Sequence, residues 1–194
     1  MSRSKTKPVK QPNGVTCGPA SLKTALKIFD KKISLSKLIN LCKTSRQGTS
    51  TDKLLSTIKK LGLSALFIKG ATLKHINKTL YTSKPKVLVS LVNYLYDDDK
   101  NGNPDPESGH WAAVASFSQL KRKIVLFDSY TGKRKSYNWP EFRLRWYDYK
   151  LKKRTTDKQS GKYKFIHKWD NQPLIIVGLH PSHLPKFAYN SQKI

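Results

Sequence analysis

The sequence predicts an α+β fold, with N-terminal helices packed to one side of an antiparallel β-sheet. Three observations lead there. Apolar residues recur at helical spacing through most of the first 80 positions. From position 86 onward the apolar runs are short and of strand length. Two of these runs, 110–117 and 123–128, are separated by only a few residues, as in a hairpin. At 194 residues and 37% hydrophobic content, the chain is long enough to bury one core.

The elements follow in order. Residues 1–9 are basic and polar, lack the apolar stretch of a secretory signal, and read as a disordered tail. A single domain is expected over residues 10–180, with residues 181–194 as a C-terminal tail. Ala20, Leu22, Ala25, Leu26, Ile28 and Phe29 give a first helix an apolar face, and Pro19 suits its first turn. Ser34 or Ser36 starts a second helix carrying Leu35, Leu38, Ile39, Leu41 and Cys42, with Cys42 as a packed core thiol. Thr49-Ser50-Thr51-Asp52 caps a third, which buries Leu54, Leu55, Ile58 and Leu61 and stops at Gly62. A strand over 63–68 and a short helix over 73–80, with His75 exposed, come next. Residues 86–92 form a continuous apolar run, hence a buried strand.

If the turn between the two hairpin runs centres on Gln119, position 110 pairs with position 128. Trp139 opens a helical or irregular segment. Residues 150–172 read as a basic insertion or extension with a loop at Ser160-Gly161, and Pro173–Gly178 as a last buried strand.

Asp97–Asp105 follows the first nine positions of an EF-hand-type calcium loop, D-x-D-x-N-G-x-x-D. The twelfth position is Ser108 rather than glutamate and no helix flanks the loop, so it reads as a polar turn. His180 and His183 lack a third ligand and read as surface polar residues. No metal and no cofactor are assigned.

The chemistry concentrates on Cys17. At a helix N-terminus, free backbone N–H groups and the helix dipole favour an anion, and thus the reactive thiolate. Gly14 and Gly18 leave the flanking backbone open to another chain. Gln11 offers a side-chain N–H to an oxygen that turns negative beside the sulfur, and the Cys17 backbone N–H offers a second. On the hairpin register above, His110 meets Asp128, as a general base meets the carboxylate that orients it.

The segment Gln11 to Ser21, Q-x5-C-G-P-A-S, resembles the nucleophile segment of papain-like cysteine peptidases, and most closely that of the C39 peptidase-like family. Ser34–Leu38, Thr44–Ser50, Leu54-Leu55 and Lys60–Leu63 follow the order that family uses after its cysteine. Gly109-His110-Trp111 and Phe127-Asp128-Ser129 resemble its histidine and aspartate segments. The likeness runs from about residue 8 to about residue 140. It implies a papain-like fold and peptide-bond hydrolysis through a Cys17 thioester, with His110 as base and acid, Asp128 orienting it and Gln11 in the oxyanion hole. It also implies cleavage after small residues such as a double glycine. The family often has proline after its aspartate, where this chain has Ser129.

Two other readings stay open: acyl transfer or deamidation from the same thioester, and a polyanion-binding protein without catalysis. The net charge of +26 favours anionic partners, nucleic acid among them. The clusters are Lys121–Lys123, Lys133–Lys135 and Lys150–Arg154, and a generally basic proteome is the alternative explanation for them. No run approaches the ~18 apolar residues of a membrane span. Two cysteines make no disulfide framework, so a reducing, intracellular (cytoplasmic) setting is expected. The charge leaves open a virion- or nucleic-acid-associated one.

Overall fold

The structure is a computed structural model and describes residues 5–83, 86–155, 163–187 and 191–193. Helices α1 (Cys17–Ile28), α2 (Leu35–Leu41) and α3 (Thr51–Lys60) precede the first strand, β1 (Ser64–Ile68). Helix α4 (Leu73–Leu80) leads to β2 (Leu88–Leu95), β3 (Gly109–Ser118), β4 (Lys123–Asp128) and β5 (Lys133–Asn138). Helix α5 (Trp139–Arg145) is followed by β6 (Tyr147–Thr155), β7 (Tyr163–Asn171), β8 (Leu174–Gly178) and β9 (Ser191–Lys193). Among the described residues, seven strands form one sheet in the order β5-β4-β3-β2-β8-β1-β9, and every pairing is antiparallel. Strands β6 and β7 form a separate two-stranded ribbon.

The local signals act as expected. Ser34 and Ser50 cap α2 and α3 by accepting from the N–H groups of Lys37 and Lys53. Gly62 ends the third helix at φ +68°, where a side chain would be strained. Cys42 is fully buried and desolvation raises its pKa, as suits a core thiol. His75 is half-buried rather than exposed, because its Nδ1 accepts from the Thr72 N–H at the start of α4 and its ring meets Phe187 edge-on.

The α+β class holds, but helices cover both faces of the sheet. Leu22, Leu26 and Ile28 of α1 pack with Leu38, Leu54 and Ile58 against Val89, Leu91, Trp111 and Ala113. Each such fully buried side chain stabilises the fold by about 1.5–3 kcal/mol. On the opposite face, Ile76 of α4 and Trp139, Phe142 and Trp146 in and after α5 pack against Val92, Tyr94, Ala112 and Val114. The aromatic run that opens at Trp139 thus builds a second core layer rather than a surface.

The ends of the chain are also engaged. Thr6 is buried, and the Val9 N–H donates to Thr24 Oγ1 on α1 at 3.0 Å, so residues 5–9 lie against the domain. Residues 1–4 of the expected tail lie outside the described residues, as does the loop expected at Ser160-Gly161. Near the other end, β9 adds to the edge of β1. The His180 ring accepts from the Ser182 N–H in a short 3-10 turn over Pro181–His183.

The hairpin register differs from the expected pairing of positions 110 and 128. Near the turn, Ser118 faces Lys123 and Ser116 faces Val125; beyond it, Val114 faces Leu126 and Ala113 faces Phe127. One residue, Ala115, is therefore extra in β3, a β-bulge. One step further, Asp128 stands opposite Ala112, two positions from His110. Without the bulge it would stand opposite Ala113, and its side chain would lie on the other face from His110. The bulge restores the parity, leaving His110 and Asp128 as same-face diagonal neighbours, about 7–8 Å apart at the backbone and within side-chain reach.

Gly18 is where α1 meets the loop before α3. A Cβ there would sit 2.8 Å from Thr49 Cβ. Thr49 cannot easily retreat, since its hydroxyl bonds that of Thr44 at 2.8 Å and its carbonyl accepts from Trp111 Nε1 at 3.0 Å. Gly18→Ala is therefore expected to destabilise the protein by about 1–3 kcal/mol, read as a lower urea midpoint at unchanged m-value. A midpoint equal to wild type would show that the loop gives way freely.

Candidate active site

Alternation along β3 turns Trp111 toward α1 and His110 toward the other face, where its ring lies 5.7 Å from Tyr94 and 4.7 Å from Tyr96. Cys17 packs with the α1-side core. Sulfur and imidazole consequently meet at the rim of the sheet, where β3 begins at Gly109. Helix α1 is tied to that rim by Ser21, whose hydroxyl donates to the Trp111 carbonyl at 2.7 Å, both groups being buried.

Cys17, His110 and Asp128 come together here. Cys17 and His110 are each only 5% exposed and Asp128 is fully buried, so their charges feel one another with little screening by water. Burial by itself pushes the Cys17 thiol up. The hydrogen bond and charge of His110 outweigh that, helped by the backbone N–H groups of Trp111 and Gly18, and hold the thiol below its ordinary value. Burial by itself pulls His110 down, but the Asp128 carboxylate and the Cys17 sulfur hold it above its ordinary value. His110 Nε2 lies 3.2 Å from Asp128 Oδ1, at an angle too bent for a full hydrogen bond. The contact is chiefly electrostatic, and it leaves the other ring nitrogen, Nδ1, for Cys17.

Asp128 is heavily engaged. Oδ1 accepts from the Tyr130 N–H at 2.9 Å, and Oδ2 from Tyr96 Oη at 3.0 Å and Thr131 Oγ1 at 2.6 Å. Burial would raise its pKa, yet His110, Thr131 and the Tyr130 N–H hold it well below the usual carboxylate range. Burial and the neighbouring carboxylate raise Tyr96, which keeps its hydroxyl a donor. Lys135 Nζ rests 3.6 Å above the Tyr96 ring.

Gln11 is buried and bound at both ends of its amide. Oε1 accepts from Ser129 Oγ at 2.8 Å, and Nε2 donates to the Asn13 carbonyl at 2.8 Å. The same Asn13 carbonyl accepts from Thr16 Oγ1 at 3.2 Å, next to Cys17. One N–H of Gln11 is thus in use and the second remains for another acceptor.

Of the residues singled out in the sequence, the structure brings Cys17, His110 and Asp128 together and joins Gln11 to Ser129, the residue after Asp128; their supports went unrecognised. Tyr96 lies two positions from Tyr94, which faces His110 across β2 and β3, but that register had to be known first. Thr131 and Ser129 carry no local signal of a partner, since Ser129 meets Gln11 across 118 positions and Thr131 bonds a carboxylate only once the turn after β4 is formed. The Asp97–Asp105 loop joins β2 to β3, and three of its carboxylates are engaged within the protein. Asp98 pairs with Arg145 at 2.6 Å, Asp99 accepts from the Asn101 and Asn103 N–H groups, and Asp105 from that of Glu107. The loop's acidic residues therefore brace the approach to His110, and no group of three or more metal-binding side chains occurs among the described residues.

The shifts give a signed pH prediction. Alkylation of Cys17 by iodoacetamide should show a rate midpoint below the ordinary thiol value of about 8.5. His110→Ala should move it above that value, because burial, the largest influence on the thiol, is then opposed only by the Trp111 and Gly18 backbone N–H groups. An unmoved midpoint in the variant would show that His110 does not govern the thiol.

The profile of the Peptidase C39 family matches residues 5–158. No curated protein matches the chain. Among solved structures, it is similar to the peptidase domain of Streptococcus ComA, a bi-functional ABC transporter involved in a quorum sensing pathway. The identity is 19%, the TM-score 0.63, and the match covers 90% of this chain and 99% of that one. It is also similar to a double glycine motif protease from an AMS/PCAT transporter, solved with a leader peptide. There the identity is 14% and the TM-score 0.58, over 91% of this chain and 94% of that one. A third is the peptidase domain of Streptococcus mutans ComA, at 18% identity and TM-score 0.53, over 89% and 98%. At such identities the likeness establishes the fold. Among the described residues, no helix is long and apolar enough to cross a membrane.

Proposed function

This chain belongs to the Peptidase C39 family and is a cysteine peptidase; from that premise we propose that Cys17 is the nucleophile, His110 the general base and acid, Asp128 its orienting carboxylate and Gln11 an oxyanion donor. The observation that carries the reading is the buried Cys17 at the head of α1 against an imidazole that Asp128 backs at 3.2 Å.

In this mechanism the thiolate attacks the scissile carbonyl carbon. A C–S bond forms and the carbonyl π pair moves to oxygen, where a Gln11 N–H and the Cys17 backbone N–H meet the new charge. Collapse breaks the C–N bond, and His110 gives its proton to the departing amine. His110 then takes a proton from water, which attacks the thioester. The acid leaves and the thiolate returns. Asp128 stays ionised throughout and stabilises the imidazolium.

For the substrate, we extend to this chain what one similar structure bears in its name, a double glycine motif and a leader peptide. The expected product of a Gly-Gly peptide is cleavage after the second glycine, lost by about 10³-fold or more in Cys17→Ser and in His110→Ala. Mass spectrometry with an added amine separates the outcomes: a free carboxylate supports hydrolysis, whereas an amide of the added amine would make the chain an acyltransferase. A stable wild-type protein that an electrophilic peptide does not label at Cys17 would overturn the assignment.

A nucleic acid partner is proposed for the basic ribbon. The β6–β7 register sets Lys150 opposite Lys168 and Arg154 opposite Lys164, with Lys152 between them along β6. The basic residues that the sequence places on this ribbon are the charge that would attract a polyanion. Binding to a duplex oligonucleotide should weaken steeply with salt. In Lys150→Glu/Lys168→Glu the log–log slope should fall by about 2, with Cys17→Ser unchanged. A slope near zero in the wild type would remove the proposal.

A further inference from the structure

Gln11 poses a problem that the four proposed residues leave open. A carboxamide can present either its N–H or its carbonyl oxygen by rotating half a turn about its last torsion, and the two ends have nearly the same shape. One end stabilises a developing oxyanion and the other repels it. Something must fix the choice.

Ser129 and Asn13 fix it together. The Asn13 carbonyl can only accept, so the end of Gln11 that faces it at 2.8 Å is the nitrogen. The opposite end is then the oxygen, and Ser129 Oγ donates to it at 2.8 Å. Ser129 is fully buried, so no water competes for that hydroxyl. Its carbonyl also accepts the Gln11 backbone N–H at 2.8 Å, which makes a two-point clamp on one residue. Asp128, which orients His110, is the residue immediately before Ser129. The turn that follows is closed by the Gly132 N–H bonding the Asp128 carbonyl at 3.0 Å, so a single ordered segment serves both sides of the site.

We infer that Ser129 is a positioning residue that locks the Gln11 amide with its free N–H available to the oxyanion. The inference rests on the peptidase reading above. Its chemistry is local to this chain, since the proline common at this position in the resembling segments has no hydroxyl to donate.

The experiment is a double-mutant cycle of Gln11→Ala and Ser129→Ala. The readouts are steady-state cleavage of a Gly-Gly peptide, iodoacetamide alkylation of Cys17 against pH, and thermal melting. Ser129→Ala should lower kcat about tenfold or more with KM little changed, short of the 10²–10³-fold expected when an oxyanion donor is deleted. Its alkylation profile should match wild type, because the Cys17–His110 pair is untouched. In the Gln11→Ala background, adding Ser129→Ala should cost nothing further in kcat. Ser129→Thr, which retains the hydroxyl, should recover most of the loss if it melts as wild type does. An unchanged kcat in Ser129→Ala would overturn the inference. So would a further loss in the Gln11→Ala background or a shifted alkylation profile, since either means that Ser129 acts other than through Gln11. A wild-type protein that neither cleaves nor reacts at Cys17 would instead sink the peptidase reading, and this inference with it.

Discussion

A fully buried carboxylate is the constraint around which this end of the molecule is built. Moving an isolated carboxylate out of water costs several kcal/mol, so Asp128 is tolerated only with its lone pairs filled. They are filled by Tyr96, just after β2, and by the Tyr130 N–H and Thr131 hydroxyl in the turn after β4, while the His110 imidazole of β3 adds its charge at 3.2 Å. The result is a charge held ionised in a dry place. That is what lets a buried histidine favour its cation, and a buried cysteine next to it favour its anion.

The geometry behind that charge turns on parity. A hairpin puts two side chains on one face only when their registers differ by an even number of positions. Between its turn and its far end, this hairpin changes parity once, at Ala115. The bulge thus decides which side chains of β3 and β4 share a face. It also explains why counting from the turn reached the right pair through the wrong register. The turn sits three positions away in summed index from the assumed one, and the bulge returns one, leaving an even error that keeps the face and moves the direct partner to a diagonal one.

Much of the rest was legible because it is local. Ser34, Ser50 and Gly62 mark helix ends through bonds within a few residues, and the heads of α1 and β3 carry Cys17 and His110 at positions that periodicity alone can place. What was not legible depends on contacts distant in sequence. The second helical layer arises because Trp139, Phe142 and Trp146 find the far side of a sheet whose faces alternate, which no short window reveals. Ser129 looks like a turn residue until Gln11, 118 positions earlier, is laid against it. Tyr96 gains its meaning only from the pairing of β2 with β3.

The excess of positive charge bears on the site in a way that bulk composition hides. A cationic surrounding favours a thiolate and opposes an imidazolium, so on its own it would push Cys17 and His110 toward an anion beside a neutral ring, leaving less of the acid that the proposed mechanism needs. Screening at physiological salt cuts off distant lysines within about 8–10 Å, which leaves near groups such as Lys135 to matter. Lys135 does not face His110 directly. It lies on the Tyr96 ring, and Tyr96 in turn donates to Asp128, so a π face and a hydroxyl stand between the nearby cation and the carboxylate. The cation thereby favours the ionised form of Asp128, and the Asp128 carboxylate in turn raises the His110 pKa. A basic protein can in this way use its excess charge to favour the protonated form of a buried imidazole.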